Sequence, residues 1–173
     1  MPFLSTPLTL SATTSIVSSA WISGSISALS ICAIPAILHS QPPSPPSGVS
    51  LYLARAWHAH FRRALYIPAT AVAAACNYLY LAHRHRASGA EWRGYAAAAA
   101  ANLMLVPFTL VFIAGINGAL IAAASSSGAD GKGGGKLSYE AARSLIERWG
   151  NYNACRVFMP LAGAGLGLWN LLC

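Results

Sequence analysis

Carboxylates are nearly absent from this chain. Glu91, Asp130, Glu140 and Glu147 are the only four in 173 residues, so chemistry that needs paired carboxylates as acid and base is poorly supplied. Charge of either sign is scarce, at 9% of residues against roughly 25% in an ordinary soluble domain, while 55% are hydrophobic. Too little polar surface remains to cover a water-soluble fold, and the composition marks a membrane protein. No Lys or Arg occurs in residues 1–50, which removes the basic region that opens a cleaved signal peptide. The first apolar segment is therefore expected to stay as an anchor.

Motifs are missing as well. The four cysteines, Cys32, Cys76, Cys155 and Cys173, have neither CxxC nor Cys/His metal spacing and read as free thiols. GxGxxG, a Walker loop, a GxSxG elbow and CxxCH are all absent, which removes the usual handles for nucleotides, acyl nucleophiles and attached haem.

What the chain does have is apolar length. Helices are expected at about 8–38, 51–85, 93–124 and 138–172, each long enough to cross ~30 Å of hydrocarbon. A Pro-rich loop at 39–50 and a Gly-rich linker at 125–137 separate them. The fold class is an all-α membrane protein, a four-transmembrane-helix bundle, with residues 1–173 as a single membrane domain. Ser19, Ser23 and Ser27, with Gly24 and Ala28, supply small residues at four-residue spacing in the first helix, and Gly163 and Gly167 do the same in the fourth. Pro107 predicts a kink near 103–107, because proline withdraws a backbone donor. Ser138 is placed to cap the last helix.

The net charge of +7 is gathered in juxtamembrane pairs, Arg62-Arg63, Arg84 with Arg86, and Lys132 with Lys136. Membrane lipids are the expected partner, since each such residue gains about 1 kcal/mol near an anionic leaflet. Nucleic acid is not. An even number of crossings puts both termini on one side, and the positive-inside rule does not decide which, because the basic residues are divided between the two faces.

Trp149, Asn153 and Arg156, spaced i, i+4, i+7, share one helical face just inside the fourth segment. A cation at that depth is a functional candidate by default; snorkelling of Arg156 to the interface is the plainer alternative. The pairs His58/His60 and His83/His85 do not make a metal site. Residues i and i+2 diverge on a helix, and roughly 37 Å of helix separates the pairs at ~1.5 Å per residue. A single histidine near the membrane entry of the second helix, His58 or His60, suits proton transfer, or simply contacts headgroups. Asn117 reads as a site residue or a helix-end residue, and Asn77 and Asn102 as interhelical hydrogen-bonding residues.

The chain resembles the anthrone oxygenase family of small four-helix membrane proteins. The resemblance runs from Gly24-Ser25-Ile26-Ser27-Ala28-Leu29-Ser30 and Ile34-Pro35-Ala36, through Trp92-Arg93-Gly94-Tyr95, Val106-Pro107-Phe108-Thr109 and Asn117. It continues to Trp149, Asn153, Arg156, Pro160-Leu161-Ala162-Gly163 and Trp169. Trp57, Phe61 and Pro68 match loosely, and Ala64 stands where the family pattern has a glycine.

The resemblance implies oxidation of an anthrone, or a related phenolic polyketide, with dioxygen in secondary-metabolite biosynthesis. It implies Arg156, Asn153 and His60 as catalytic residues, and Trp149, Asn117 and Trp57 as substrate-binding residues. No cofactor is expected, because the conjugate base of an anthrone can itself reduce dioxygen; a metal remains open. Implied partners are an aromatic polyketide substrate and other pathway enzymes, and the implied location is the endoplasmic reticulum or another endomembrane. The alternative is a non-catalytic tetraspan protein that binds or carries a hydrophobic metabolite, or scaffolds pathway enzymes.

Overall fold

The computed structural model describes residues 6–39, 49–126 and 137–173. The Pro-rich loop and the Gly-rich linker lie, apart from their end residues, outside the described residues. The described residues form four helices, each long and apolar enough to cross a membrane: α1 (Thr6–His39), α2 (Val49–Ala87), α3 (Arg93–Ser125) and α4 (Tyr139–Leu172). No strand occurs among the described residues. In hydrocarbon every backbone polar group must be satisfied within its own element, and helices meet that condition. The cap at the start of α4 is made by Ser138, whose Oγ accepts from the Ala141 amide at 3.1 Å.

Each long helix is interrupted about one turn before a proline, and α3 a second time after its proline. In α1 the regular helix Thr6–Ser27 gives way to a π-helical turn, Ala28–Ala33, ahead of Pro35. In α2, Val49–Arg63 and Tyr66–Ala87 are separated by a turn at Ala64 and Leu65, ahead of Pro68. In α3 the helix Arg93–Leu103 breaks at Met104, ahead of Pro107, and a second π-helical turn, Thr109–Ile113, follows. In α4, Tyr139–Cys155 and Phe158–Leu172 are separated by a turn at Arg156 and Val157, ahead of Pro160. The cause is common to all four. A proline has no N–H for the carbonyl four residues earlier, and its ring crowds that carbonyl out of line.

The described residues fall into two compact units. The first comprises residues up to Ile26, Tyr66–Phe108 and Arg156–Cys173. Its core is built on small residues: Ala12, Ala75, Ala82, Ala98 and Ala99 let the helices approach, and Tyr78, Leu81 and Tyr95 fill the space between. A Cβ at Gly167 would lie 2.6 Å from the Tyr78 hydroxyl, and one at Gly163 would run into the Asn102 amide. These two glycines therefore make close packing possible. Several polar groups are paired: Ser19 Oγ donates to Asn102 Oδ1 at 3.2 Å, Asn102 Nδ2 to Ala98 O at 2.9 Å, and the Tyr78 hydroxyl to Gly163 O at 3.1 Å. Asn77 bonds both the side chain and the backbone of Ser11. Such bonds are worth about 0.6 kcal/mol each between membrane helices. Along α1 the small residues that pack are Ser15, Ser19 and Ser23, whereas Gly24, expected to share that role, is exposed with nothing within 4 Å of a Cβ placed on it.

The second unit comprises Ser27–Leu65 and Thr109–Cys155. Its core sets Trp57 and Trp149 among aliphatic residues such as Leu53, Ile113, Leu120 and Ile146, and it carries most of the candidate site.

Candidate functional site

Three of the expected residues come together in the second unit. Trp149 of α4 is buried, and its indole Nε1–H donates to Asn117 Oδ1 of α3 at 2.9 Å. Trp57 of α2 is fully buried and meets Trp149 edge to face, with centroids 5.7 Å apart and ring planes at 84°. Phe61, one turn on from Trp57, stacks against it at 4.9 Å, and His58 stands 6.5 Å from both rings. Edge-to-face and offset stacks are the arrangements that ring quadrupoles favour, and each adds about 0.5–1.5 kcal/mol beyond burial. The Trp57 indole N–H, by contrast, is buried and has no hydrogen-bond partner among the described residues. An unpaired donor there is costly, which makes it notable.

Asn153 follows Trp149 by one turn, is buried, and donates from Nδ2 to Ser30 Oγ at 2.9 Å. Ser30 lies in the π-helical turn Ala28–Ala33 of α1. Single π-turns recur at functional sites because they re-aim side chains. Gly150 allows this approach: a Cβ there would lie 3.1 Å from Ile34 Cγ2. On α3, Phe112 of the other π-turn packs against Tyr152 at 5.8 Å. Asn117 lies inside the helix Ala114–Ser125, not at its end, and serves as an acceptor for Trp149.

The remaining two expected residues are placed differently. His60 is half-buried and its Nδ1 bonds Ala56 O of its own helix at 2.9 Å. A carbonyl only accepts, so Nδ1 is the donor in this bond and Nε2 is the ring nitrogen left for another partner. Arg156 is buried, with 7% of its surface exposed, and opens the α4 segment that belongs to the first unit. Along α4 the buried positions include Trp149 and Asn153 in the second unit and Arg156, Pro160, Gly163 and Gly167 in the first. Within the second histidine pair the side chains part: His83 is exposed, while His85 is buried edge-on to Tyr95 at 5.0 Å. No group of three or more His, Cys, Asp or Glu side chains able to hold a metal occurs among the described residues.

Two contributors escaped the reading of the sequence. Ser30 is one hydroxyl in a serine-rich helix, and no spacing marks it. Arg55, whose Nε donates to Ala124 O at 3.4 Å, sits in the charged lead of α2 and looks like any interfacial cation. Phe61 was legible as the i+4 neighbour of Trp57.

Four helices of membrane-spanning length, with a buried indole of one tied to an amide of another, define a small all-α membrane protein. Residues 57–166 match the family model described as anthrone oxygenase. The chain belongs to the anthrone oxygenase family and is, by that membership, an anthrone-oxygenase-like monooxygenase. It is 33% identical over 149 residues to the monooxygenase hypC of Dothistroma septosporum, covering 86% of this chain and 75% of that protein. It is 31% identical over 150 residues to an anthrone oxygenase of Claviceps purpurea, covering 87% and 82%. With the anthrone oxygenase AgnL2 of Paecilomyces divaricatus, identity is 28% over 163 residues, covering 91% and 95%. No solved structure matches the chain.

Proposed function

We propose that this protein, embedded in a membrane, oxidises an anthrone or a related phenolic polyketide to the quinone with dioxygen, within secondary-metabolite biosynthesis. The observation that carries the reading is the Trp57–Trp149–Asn117 cluster: two buried indoles and an amide in a family whose named relatives are anthrone oxygenases.

The reaction balances without an added reductant. The methylene between the two aryl rings gives up four electrons and becomes a carbonyl; dioxygen takes all four, leaving one oxygen in the quinone and the other in water. The steps are removal of a methylene proton, attack of the resulting carbanion on dioxygen, and loss of water from the hydroperoxide. The protein has to bind a flat apolar molecule, take one proton, and stabilise the aryloxide that forms as the proton leaves.

The indoles of Trp57 and Trp149 suit stacking against a polycyclic ring system. Asn117 and Asn153 carry amide donors, and Trp57 offers an N–H with no protein partner. Donors aimed at a developing oxyanion are often the largest catalytic contribution. Arg156 keeps the part the sequence suggests, a cation for the aryloxide, and His60, through Nε2, that of the base. Dioxygen is the co-substrate and no cofactor is invoked.

The test is turnover of an anthrone under labelled dioxygen by purified protein, with and without a strong chelator, and with spontaneous oxidation subtracted. One labelled oxygen in the quinone above background is expected. No rate above background with several anthrones would shift the function to binding or scaffolding. Loss of activity with chelator alone would replace the metal-free mechanism.

A further inference from the structure

A second ligand site is visible in the first unit, on the outer side of α1 and α2. A groove of about 560 Å³ runs between them, lined by Thr14, Ser18, Thr70, Cys76, Asn77 and Tyr80. Its size lies within the roughly 300–1,000 Å³ of small-molecule sites. Thr14, Cys76 and Tyr80 are exposed on helices of spanning length, so the groove opens sideways toward the surface that lipid would cover. Its lining on α2 runs from Thr70 to Tyr80, about 15 Å of helix, so the groove reaches from the middle of the apolar span toward the basic exit at His83–Arg86.

Its lining is mainly apolar, with Ala73, Ala74 and the Tyr80 ring, but carries several hydroxyls and one amide and no charge. Thr70 Oγ1 is committed to Tyr66 O at 3.0 Å, and Asn77 to Ser11. The hydroxyls of Thr14, Ser18 and Tyr80 make no hydrogen bond among the described residues. Hydroxyls turned toward hydrocarbon lose their solvent and gain nothing from lipid tails. A ligand that presents hydroxyl or carbonyl oxygens to them, and an apolar body to the rest of the groove, satisfies both halves of the lining. With no acidic or basic side chain present, that ligand is uncharged.

We propose that this groove binds a neutral, hydroxylated polycyclic aromatic molecule laterally from the bilayer. The molecule would be the substrate on its way in or the quinone on its way out, held by Thr14, Ser18 and Tyr80. Only the identity of the ligand rests on the function proposed above; the site rests on its own geometry.

Cys76 lies in the groove and is exposed, so it reports occupancy without any assay of turnover. In full-length protein with Cys32, Cys155 and Cys173 changed to Ser, the rate of Cys76 alkylation by N-ethylmaleimide is measured with and without a hydroxylated anthraquinone. Alkylation should slow about tenfold at ten times the dissociation constant, as simple occupancy requires. Unhydroxylated anthracene should protect far less. Tyr80→Phe and Thr14→Val, which sit on the exterior and keep side-chain shape, should each weaken protection about fivefold, the value of one hydrogen bond. An unchanged alkylation rate at saturating anthraquinone overturns the proposal. So does equal protection by anthracene, or protection that follows protein concentration and not ligand, which would make the groove a contact between copies of the chain. Protection in a preparation that oxidises no anthrone would leave this site standing while the proposed reaction fell.

Discussion

Trp149 and Asn117, on different helices, are joined by an indole N–H to amide oxygen hydrogen bond of 2.9 Å. The bond fixes the rotation of one indole, against which the other, Trp57, sets its edge-to-face angle of 84°. Asn117→Leu should therefore leave a buried indole donor unpaired and cost about 1–3 kcal/mol. We expect a lower midpoint in detergent unfolding and turnover reduced at least about tenfold; full turnover in a stable Asn117→Leu protein would remove the amide from the site.

Trp57→Phe separates packing from chemistry. An aromatic ring is kept while the unpaired N–H disappears, and losing an orphaned buried donor offsets part of the cavity that the smaller ring leaves. Stability should fall by less than in Trp57→Ala, and turnover should fall if that N–H meets substrate oxygen. Unchanged turnover would make Trp57 a packing residue.

For Asn153 and Ser30, the expected outcome is coupling. Asn153→Ala, Ser30→Ala and the double variant form a cycle whose interaction energy should be about 0.5–1.5 kcal/mol in reversible unfolding, the range for hydrogen-bonded side chains on neighbouring membrane helices. Strict additivity would mean that the 2.9 Å bond contributes nothing.

Arg156 separates its two roles by a conservative change. Lysine also reaches an interface, so Arg156→Lys should be silent if the side chain only snorkels. If a planar fork of donors holds an aryloxide, lysine should lose most of the turnover at matched expression and unchanged folding. Equal rates favour the interfacial role.

Gly167→Val tests the core of the first unit. The new side chain would enter the space of Tyr78, whose hydroxyl is already 2.6 Å from an added Cβ. Overpacking of this kind costs about 1–3 kcal/mol, read as a lower unfolding midpoint, whereas Gly165→Val, with open space around it, should be nearly neutral.

Sequence by itself determined the class. Four apolar stretches of bilayer-spanning length, without the alternation of a barrel strand, point to helices, because hydrocarbon offers the backbone no partner outside its own element. It also put Trp149 and Asn153 on one face, since a helix fixes which residues share a face. The kink near Pro107 was legible for a local reason, a missing donor. The same arithmetic holds one turn before Pro35, Pro68 and Pro160, but there it emerged only from the structure. Tertiary structure alone decided which amide meets which ring. Asn117 and Trp149 are 32 residues apart, Asn153 and Ser30 are 123 apart, and no local rule couples residues at such distances. Those pairings follow from how closely small residues such as Gly150 let the helices approach and from how the π-turns re-aim side chains, and both are properties of packed helices together.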